Sequence, residues 1–107
     1  MINVKYSKNG VFGDPYYVEK GEEIQLTYEG ELAAQGAQMI YAHIGYGPNE
    51  RWTNTGEYEM VPSGNGKFRV DIPISENGNL NVAFKDDGET WDNNNGENYI
   101  FPAKPKK

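Results

Sequence analysis

Trp91 stands in the run Asp86-Asp87-Gly88-Glu89-Thr90-Trp91-Asp92-Asn93-Asn94-Asn95-Gly96-Glu97-Asn98-Tyr99, among acids, amides and glycines. The run follows directly on a stretch that alternates like a strand, and no core pattern includes the indole. Trp52, between Arg51 and Thr53, likewise belongs to no apolar set, and it follows His43 across a Gly/Pro/Asn loop. A tryptophan in such surroundings either packs back on its domain or is shown to a ligand. Sugars suit this mixture of side chains: the C–H face of a pyranose stacks on an indole, phenol or imidazole, and its hydroxyls bond to amides, carboxylates and cations. Two such tryptophans in one short chain favour display over core packing.

Other chemistries fit the inventory less well. His43 is the single histidine and there is no cysteine, so a zinc site would need carboxylates alone to complete it, which is uncommon for structural zinc. No serine sits in a Gly-X-Ser-X-Gly elbow, which leaves a Ser-His-Asp triad without its nucleophile. The acids Asp86, Asp87, Glu89, Asp92 and Glu97 could supply a glycosidase pair, but such a pair flanks a deep cleft, and a chain of 107 residues has little material for one. An EF-hand loop counted from Asp92 fails: Gly96 and Glu97 fall one place out of register and Ala103 stands where a bidentate Glu is needed. A calcium site of another kind stays open. The bland alternative is that these Asp and Asn side chains bond their own backbone in Asx-turns, and it is the favoured reading for most of them. No cofactor is expected.

The bulk properties narrow the field further. The length suits one domain with one core. The aromatic fraction is 13%, with eight tyrosines, which argues for a folded chain over a disordered one. The formal net charge of −6 argues against nucleic-acid backbones and anionic membranes as partners, since both need basic patches. Residues 1–103 read as the domain and residues 104–107, with Lys104, Lys106 and Lys107 among prolines, as a basic tail. Without cysteine the compartment stays open: cytosolic if Met1 is native, secreted if the chain is a module of a larger protein.

The elements that must position these residues are strands. Ile24, Leu26 and Tyr28 alternate with Gln25, Thr27 and Glu29; Phe68, Val70, Ile72 and Ile74 with Lys67, Arg69, Asp71 and Pro73; Leu80, Val82 and Phe84 with Asn79, Asn81, Ala83 and Lys85. Each set predicts a strand with one dry face and one wet face. A strand over 39–46 turns Ile40, Ala42 and Ile44 inward, which puts Tyr41 and His43 on the opposite face. Shorter strands are expected over 4–6, 16–18, 58–61 and 98–101. Only residues 30–38 favour helix, and their glycines limit it to a loop or one turn. Gly/Asn/Pro groups such as Asn9-Gly10, Ser63-Gly64-Asn65-Gly66 and Glu76-Asn77-Gly78-Asn79 separate the strands. The pattern predicts an all-β chain folded as an antiparallel, immunoglobulin-like β-sandwich.

The set Tyr41-Ala42-His43-Ile44-Gly45-Tyr46-Gly47, then Trp52, then Met60, then Asn81-Val82-Ala83-Phe84-Lys85-Asp86, then Trp91-Asp92-Asn93-Asn94-Asn95-Gly96-Glu97-Asn98-Tyr99 resembles carbohydrate-binding module family 25. Those are starch-binding β-sandwich modules, often attached to bacterial amylases. The related family 53 modules of plant starch synthases look similar too. The resemblance spans residues 15 to 101, and its C-terminal block is the most specific part. It implies that His43, Trp52 and Trp91 form an aromatic platform for α-1,4-linked glucose, without catalysis. Lys85, Asn93 and Asn94 are expected to bond hydroxyls, and Tyr41 to make a secondary contact. The implied partners are an α-glucan (starch, glycogen or a maltooligosaccharide) and a covalently attached amylase or other glucan-active domain. A different class of reading is a protein-interaction sandwich with Trp52 and Trp91 as interface anchors.

Overall fold

In the computed structural model, which describes residues 6–104, ten strands and one helical turn follow one another along the chain. They are β1 (Tyr6–Lys8), β2 (Val11–Asp14), β3 (Glu23–Tyr28), α1 (Glu31–Ala34), β4 (Ile40–Tyr46), β5 (Thr53–Glu59), β6 (Val61–Gly64), β7 (Lys67–Pro73), β8 (Leu80–Asp86), β9 (Trp91–Asp92) and β10 (Tyr99–Phe101). One sheet has the order β1-β2-β3-β7-β6; the other has β10-β8-β4-β5, with β9 also paired to β8. All strand pairs are antiparallel. The architecture is the expected β-sandwich.

The three central alternations hold on their inner faces. Ile24, Leu26 and Tyr28 on β3, Phe68 and Ile72 on β7, and Leu80, Val82 and Phe84 on β8 are buried between the sheets with Ile40, Ala42, Ile44 and Tyr46 of β4. A buried aliphatic or aromatic side chain contributes ~1.5–3 kcal/mol, so this layer supplies most of the driving force for closing the sandwich. The Asn9-Gly10 turn joins β1 to β2 with both residues at positive φ (52° and 82°), as a two-residue hairpin of this composition should.

Four local expectations change. Residues 58–61 are not one strand: β5 and β6 lie in different sheets, and buried Met60 marks the crossing. β5 is an edge strand whose Thr-Asn-Thr-Gly-Glu-Tyr-Glu sequence carries no apolar alternation, which hid most of its length. The expected strand over 16–18 reduces to one isolated parallel bridge, Val18 to Ala103. β2 takes a place in the sheet beside β3 where no strand was expected. Of the expected strand over 4–6, residues 4 and 5 lie outside the described residues. The one turn of α1 and the strand over 98–101 appear as expected, the latter as β10.

At the C-terminus, Lys104 is drawn back onto the domain. Its backbone N–H donates to the Val18 carbonyl, and its ammonium lies 3.0 Å from Glu19 and 3.7 Å from Glu22. The two carboxylates raise the Lys104 pKa above the usual lysine range. The rest of the expected tail, residues 105–107, lies outside the described residues.

Candidate functional site

The outer face of the β10-β8-β4-β5 sheet carries the rings. β4 turns Tyr41 and His43 outward. Register puts Tyr41 between Glu59 of β5 and Lys85 of β8, and His43 between Glu57 and Ala83. One position further along the same face, Gly45 pairs with Asn81. The expectation that Asn81 and Ala83 face water is overturned: both are buried. Asn81 donates from its amide to the Gly47 carbonyl at 2.9 Å, which fixes the start of the loop that carries Trp52.

Trp52 lies over Gly45. A Cβ built on Gly45 would meet the Trp52 side chain at 2.6 Å, so the indole occupies the space that any larger residue would fill. A glycine inside a strand commonly marks such a close approach. The indole N–H donates to the Asn49 carbonyl at 2.8 Å, and the ring is half-buried. Trp52 is therefore partly displayed and partly built into the loop.

Trp91 was expected in a loop, and the structure places it in β9, opposite Lys85 of β8. Asp86 makes this return possible. Its carboxylate accepts from the N–H groups of Gly88 and Thr90, both at 2.9 Å, closing an Asx-type turn. Alternation then turns Trp91 outward, where it is 43% exposed, and Asp92 inward. Asp92 accepts from the Tyr28 hydroxyl at 2.6 Å and the Tyr99 hydroxyl at 2.8 Å. A buried carboxylate without partners would be costly; two phenols satisfy this one and pin β9 to the core. Burial, reinforced by the bond to Asp92, pushes the Tyr28 phenol far above the usual tyrosine range. Tyr28 also packs on Phe84 at 4.5 Å between ring centroids, and Phe84 on Tyr99 at 5.7 Å.

These elements bring His43, Trp52 and Trp91 together. The His43 and Trp52 rings are 5.8 Å apart and nearly parallel, at 26°. The Trp91 ring lies 5.6 Å from His43 and stands almost perpendicular to it, at 82°. The three rings form a bent surface. Lys85 closes one end: its ammonium sits 5.5 Å from the Trp91 ring centre and 5.9 Å from that of Tyr41, within cation–π range. It also meets the Glu57 carboxylate at 3.0 Å. That hydrogen bond holds the Lys85 pKa above the usual lysine range. His43 Nδ1 lies 3.5 Å from the same carboxylate oxygen, but the alignment makes no hydrogen bond, and the nitrogen is left without a partner.

The amides divide. Asn93 is exposed at the loop surface, and its carbonyl oxygen accepts from the Gly96 N–H. Asn94 is buried: its amide donates to the Asn98 carbonyl and its oxygen accepts from Asn9. Each end of that side chain makes a hydrogen bond within the protein. Its work is to hold the loop, as the Asx reading anticipated for most of these residues. A link between the Trp52 loop and the β9–β10 loop escaped the sequence reading. Asn98 donates to the Asn49 side chain at 2.8 Å, and Asn49 donates to the Glu97 carbonyl at 3.1 Å. Glu57 was missed because β5 has no readable alternation. Gly45 could have been found as a strand glycine on the same face as His43. Among the described residues, no group of three or more His, Asp or Glu side chains is arranged to hold a metal ion.

Three comparisons with known proteins bear on this arrangement. A protein named alpha-amylase from Clostridium acetobutylicum is 35% identical over 86 residues, a stretch covering 79% of this chain and 11% of that relative. The chain thus spans about a tenth of the length of the relative it matches. No solved structure gives a significant match. The sequence profile of the starch/carbohydrate-binding module family 53 matches residues 24–84, more than half of the chain and the stretch that carries β3 to β8. By that match, this two-sheet sandwich with its outward rings belongs to family 53 of the starch/carbohydrate-binding modules, which bind their ligand and catalyse nothing.

Proposed function

We propose that the module binds α-1,4-glucan (starch, glycogen or maltooligosaccharides) on the platform of His43, Trp52 and Trp91, as the resemblance to family 25 implies. One observation carries the reading: three rings meet on one outer face, one turned by 82° from the next. Successive glucoses in an α-1,4 chain are rotated, so the chain curves. A bent set of rings can stack on consecutive units of such a chain, whereas the flat ribbon of a β-1,4 glucan suits a flat row. Lys85 and Asn93 bond hydroxyls at the rim, and Tyr41 adds apolar contact behind Lys85. Glu57 accepts from hydroxyls and holds Lys85 in place. The mode requires no cofactor.

Aromatic stacking on a nucleobase is worth ~1–3 kcal/mol, and stacking on a sugar is similar or weaker. Two or three stacks, less the cost of immobilising the sugar, place affinity in the micromolar to millimolar range, about −4 to −8 kcal/mol. In a longer protein the module holds an attached amylase or other glucan-active domain on its polysaccharide. The test is intrinsic tryptophan fluorescence during titration with maltoheptaose, with cellohexaose as control. A saturable change with the α-linked sugar alone supports the platform. Silence with both sugars would overturn it and favour a protein-interaction surface anchored by Trp52 and Trp91.

A further inference from the structure

A second concavity begins where the platform ends. It is a cleft of about 450 Å³ lined by Trp91, Asn93, Asn95, Glu31 and Asn9, with Asp92, Asn94 and Tyr99 at its base. None of His43, Trp52 and Lys85 lines it, so the cleft shares with the platform one of its three rings, Trp91, and Asn93 at the rim. Its walls come from three separate elements: the β9–β10 loop, the first turn of α1 and the β1–β2 turn. Its size falls within the ~300–1,000 Å³ of small-molecule sites.

The lining is polar and its groups are of two kinds. At the base, Asp92 and Asn94 are buried and committed to bonds inside the protein. They are fixed structure. At the rim, Glu31 and Asn95 are exposed, and among the described residues neither side chain makes a hydrogen bond or ion pair. Asn95 is held at φ 57° by a loop whose conformation Asn93 and Asn94 fix. A cleft with one aromatic wall, a carboxylate and free amide groups has the chemistry for a hydroxylated ring: apolar contact on one side, acceptors and donors around the edge. A carboxylate accepting from a hydroxyl makes a charge-assisted bond.

Resting on the platform reading above, we infer that this cleft is an additional glucose subsite, reached by the α-glucan chain as it bends past Trp91. Trp91 is then a ridge with sugar on both sides, and Glu31 and Asn95 bond the hydroxyls of the unit beyond the platform. A trisaccharide fills the three rings; only a longer chain reaches the cleft.

Titration calorimetry with maltotriose and maltoheptaose, on the unaltered module and on the double variant Glu31→Ala/Asn95→Gly, tests this. Glycine keeps the positive φ of residue 95, so the loop is preserved. The expected result is that maltotriose affinity stays within about twofold, whereas maltoheptaose affinity falls about tenfold, ~1.4 kcal/mol. A longer sugar also gains from having more registers on the platform, but that gain is the same in both proteins. Equal maltoheptaose affinity in the two proteins would overturn the subsite and leave the platform standing. Equal losses for both sugars would also overturn it, by placing the two side chains at the platform itself. Failure of the unaltered module to bind either sugar would be a failure of the platform reading, and the subsite would fall with it.

Discussion

The two outer faces of this sandwich are built on the same alternation and have opposite characters. On the face of β3 and β7, Gln25 lies opposite Asp71 and Thr27 opposite Arg69, a solvated surface of charges and hydroxyls. The apolar side chains exposed there, Phe12 and Val61, stand on β2 and β6, on either side of Thr27 and Arg69. Scattered singly, such residues are ordinary surface. On the face of β4 and β8, small residues at Gly45 and Ala83 alternate with His43, Tyr41 and Lys85. The loop after β4 lays Trp52 over Gly45, and the turn after β8 brings Trp91 of β9 back beside Lys85. Alternation makes both faces available, and only one is furnished by its loops. A ring-bearing face on a sandwich is thus made by strand positions left small and by turns that send large rings back beside them.

The sharpest way to break the comparison is to match residues across the two faces. Asp92 and Asp71 differ most. Asp92→Ala removes from the core the acceptor that the Tyr28 and Tyr99 hydroxyls share, and losing these buried bonds should cost about 2–5 kcal/mol. Asp71→Ala, at an exposed position, should stay within about 0.5 kcal/mol. Urea unfolding measures both, and equal effects would mean that β9 is not anchored as described.

Trp91 and Phe12 give the next largest contrast, in binding. Trp91→Ala should weaken maltoheptaose binding by about 5- to 150-fold, the ~1–3 kcal/mol of one stack, with little change in thermal midpoint. Phe12→Ala should leave binding unchanged. Trp52→Ala should lose as much affinity as Trp91→Ala but also some stability. Its indole bonds Asn49 and packs over Gly45, so it is more embedded than exposure of both rings would have implied.

Gly45→Ala sharpens the role of small strand residues. Its Cβ would come within 2.6 Å of Trp52. Overpacking of this kind costs ~1–3 kcal/mol, and the indole should shift, lowering affinity while the sandwich remains folded. A crystal structure or Trp fluorescence of the variant would show the displaced ring. An undisturbed ring with full affinity would refute the close approach.

The smallest expected effect concerns pH. The folded-state pKa of Tyr28 is raised by burial and by Asp92. Such a group contributes stability that is fully present below its unfolded value near pH ~10 and is lost as pH rises above it. Above that value the unfolded chain binds fewer protons than the folded one, so unfolding is favoured. The thermal midpoint should fall from about pH 9 to about pH 11, with a shallower fall in Tyr28→Phe. Identical slopes would mean that Tyr28 does not carry the difference.

Much of this protein is legible in one dimension because a strand's two faces have a period of two. That period assigned Ile24, Leu26, Val82 and Phe84 to the core and His43 and Tyr41 to the outside without any knowledge of partners. The turns at Asn9-Gly10 and Ser63–Gly66 declared themselves through residues that tolerate positive φ. Trp52 and Trp91 stood out because no apolar pattern claimed them. What escaped was whatever depends on a partner distant in sequence. β5 shows no pattern because an edge strand need bury little, so Glu57 could not be placed beside His43 and Lys85. Asn93 and Asn94 are neighbours of the same type, yet one is exposed and the other buried, because Asn9 arrives from the far end of the chain to bond the second. The turn of Trp91 against His43, the bridge from Asn49 to Asn98, and the cleft beyond Trp91 were decided only when two sheets and three loops came together. Residue type and local period determine which side chains are offered to solvent; the angles and distances among them come from contacts between segments that the sequence order does not bring together.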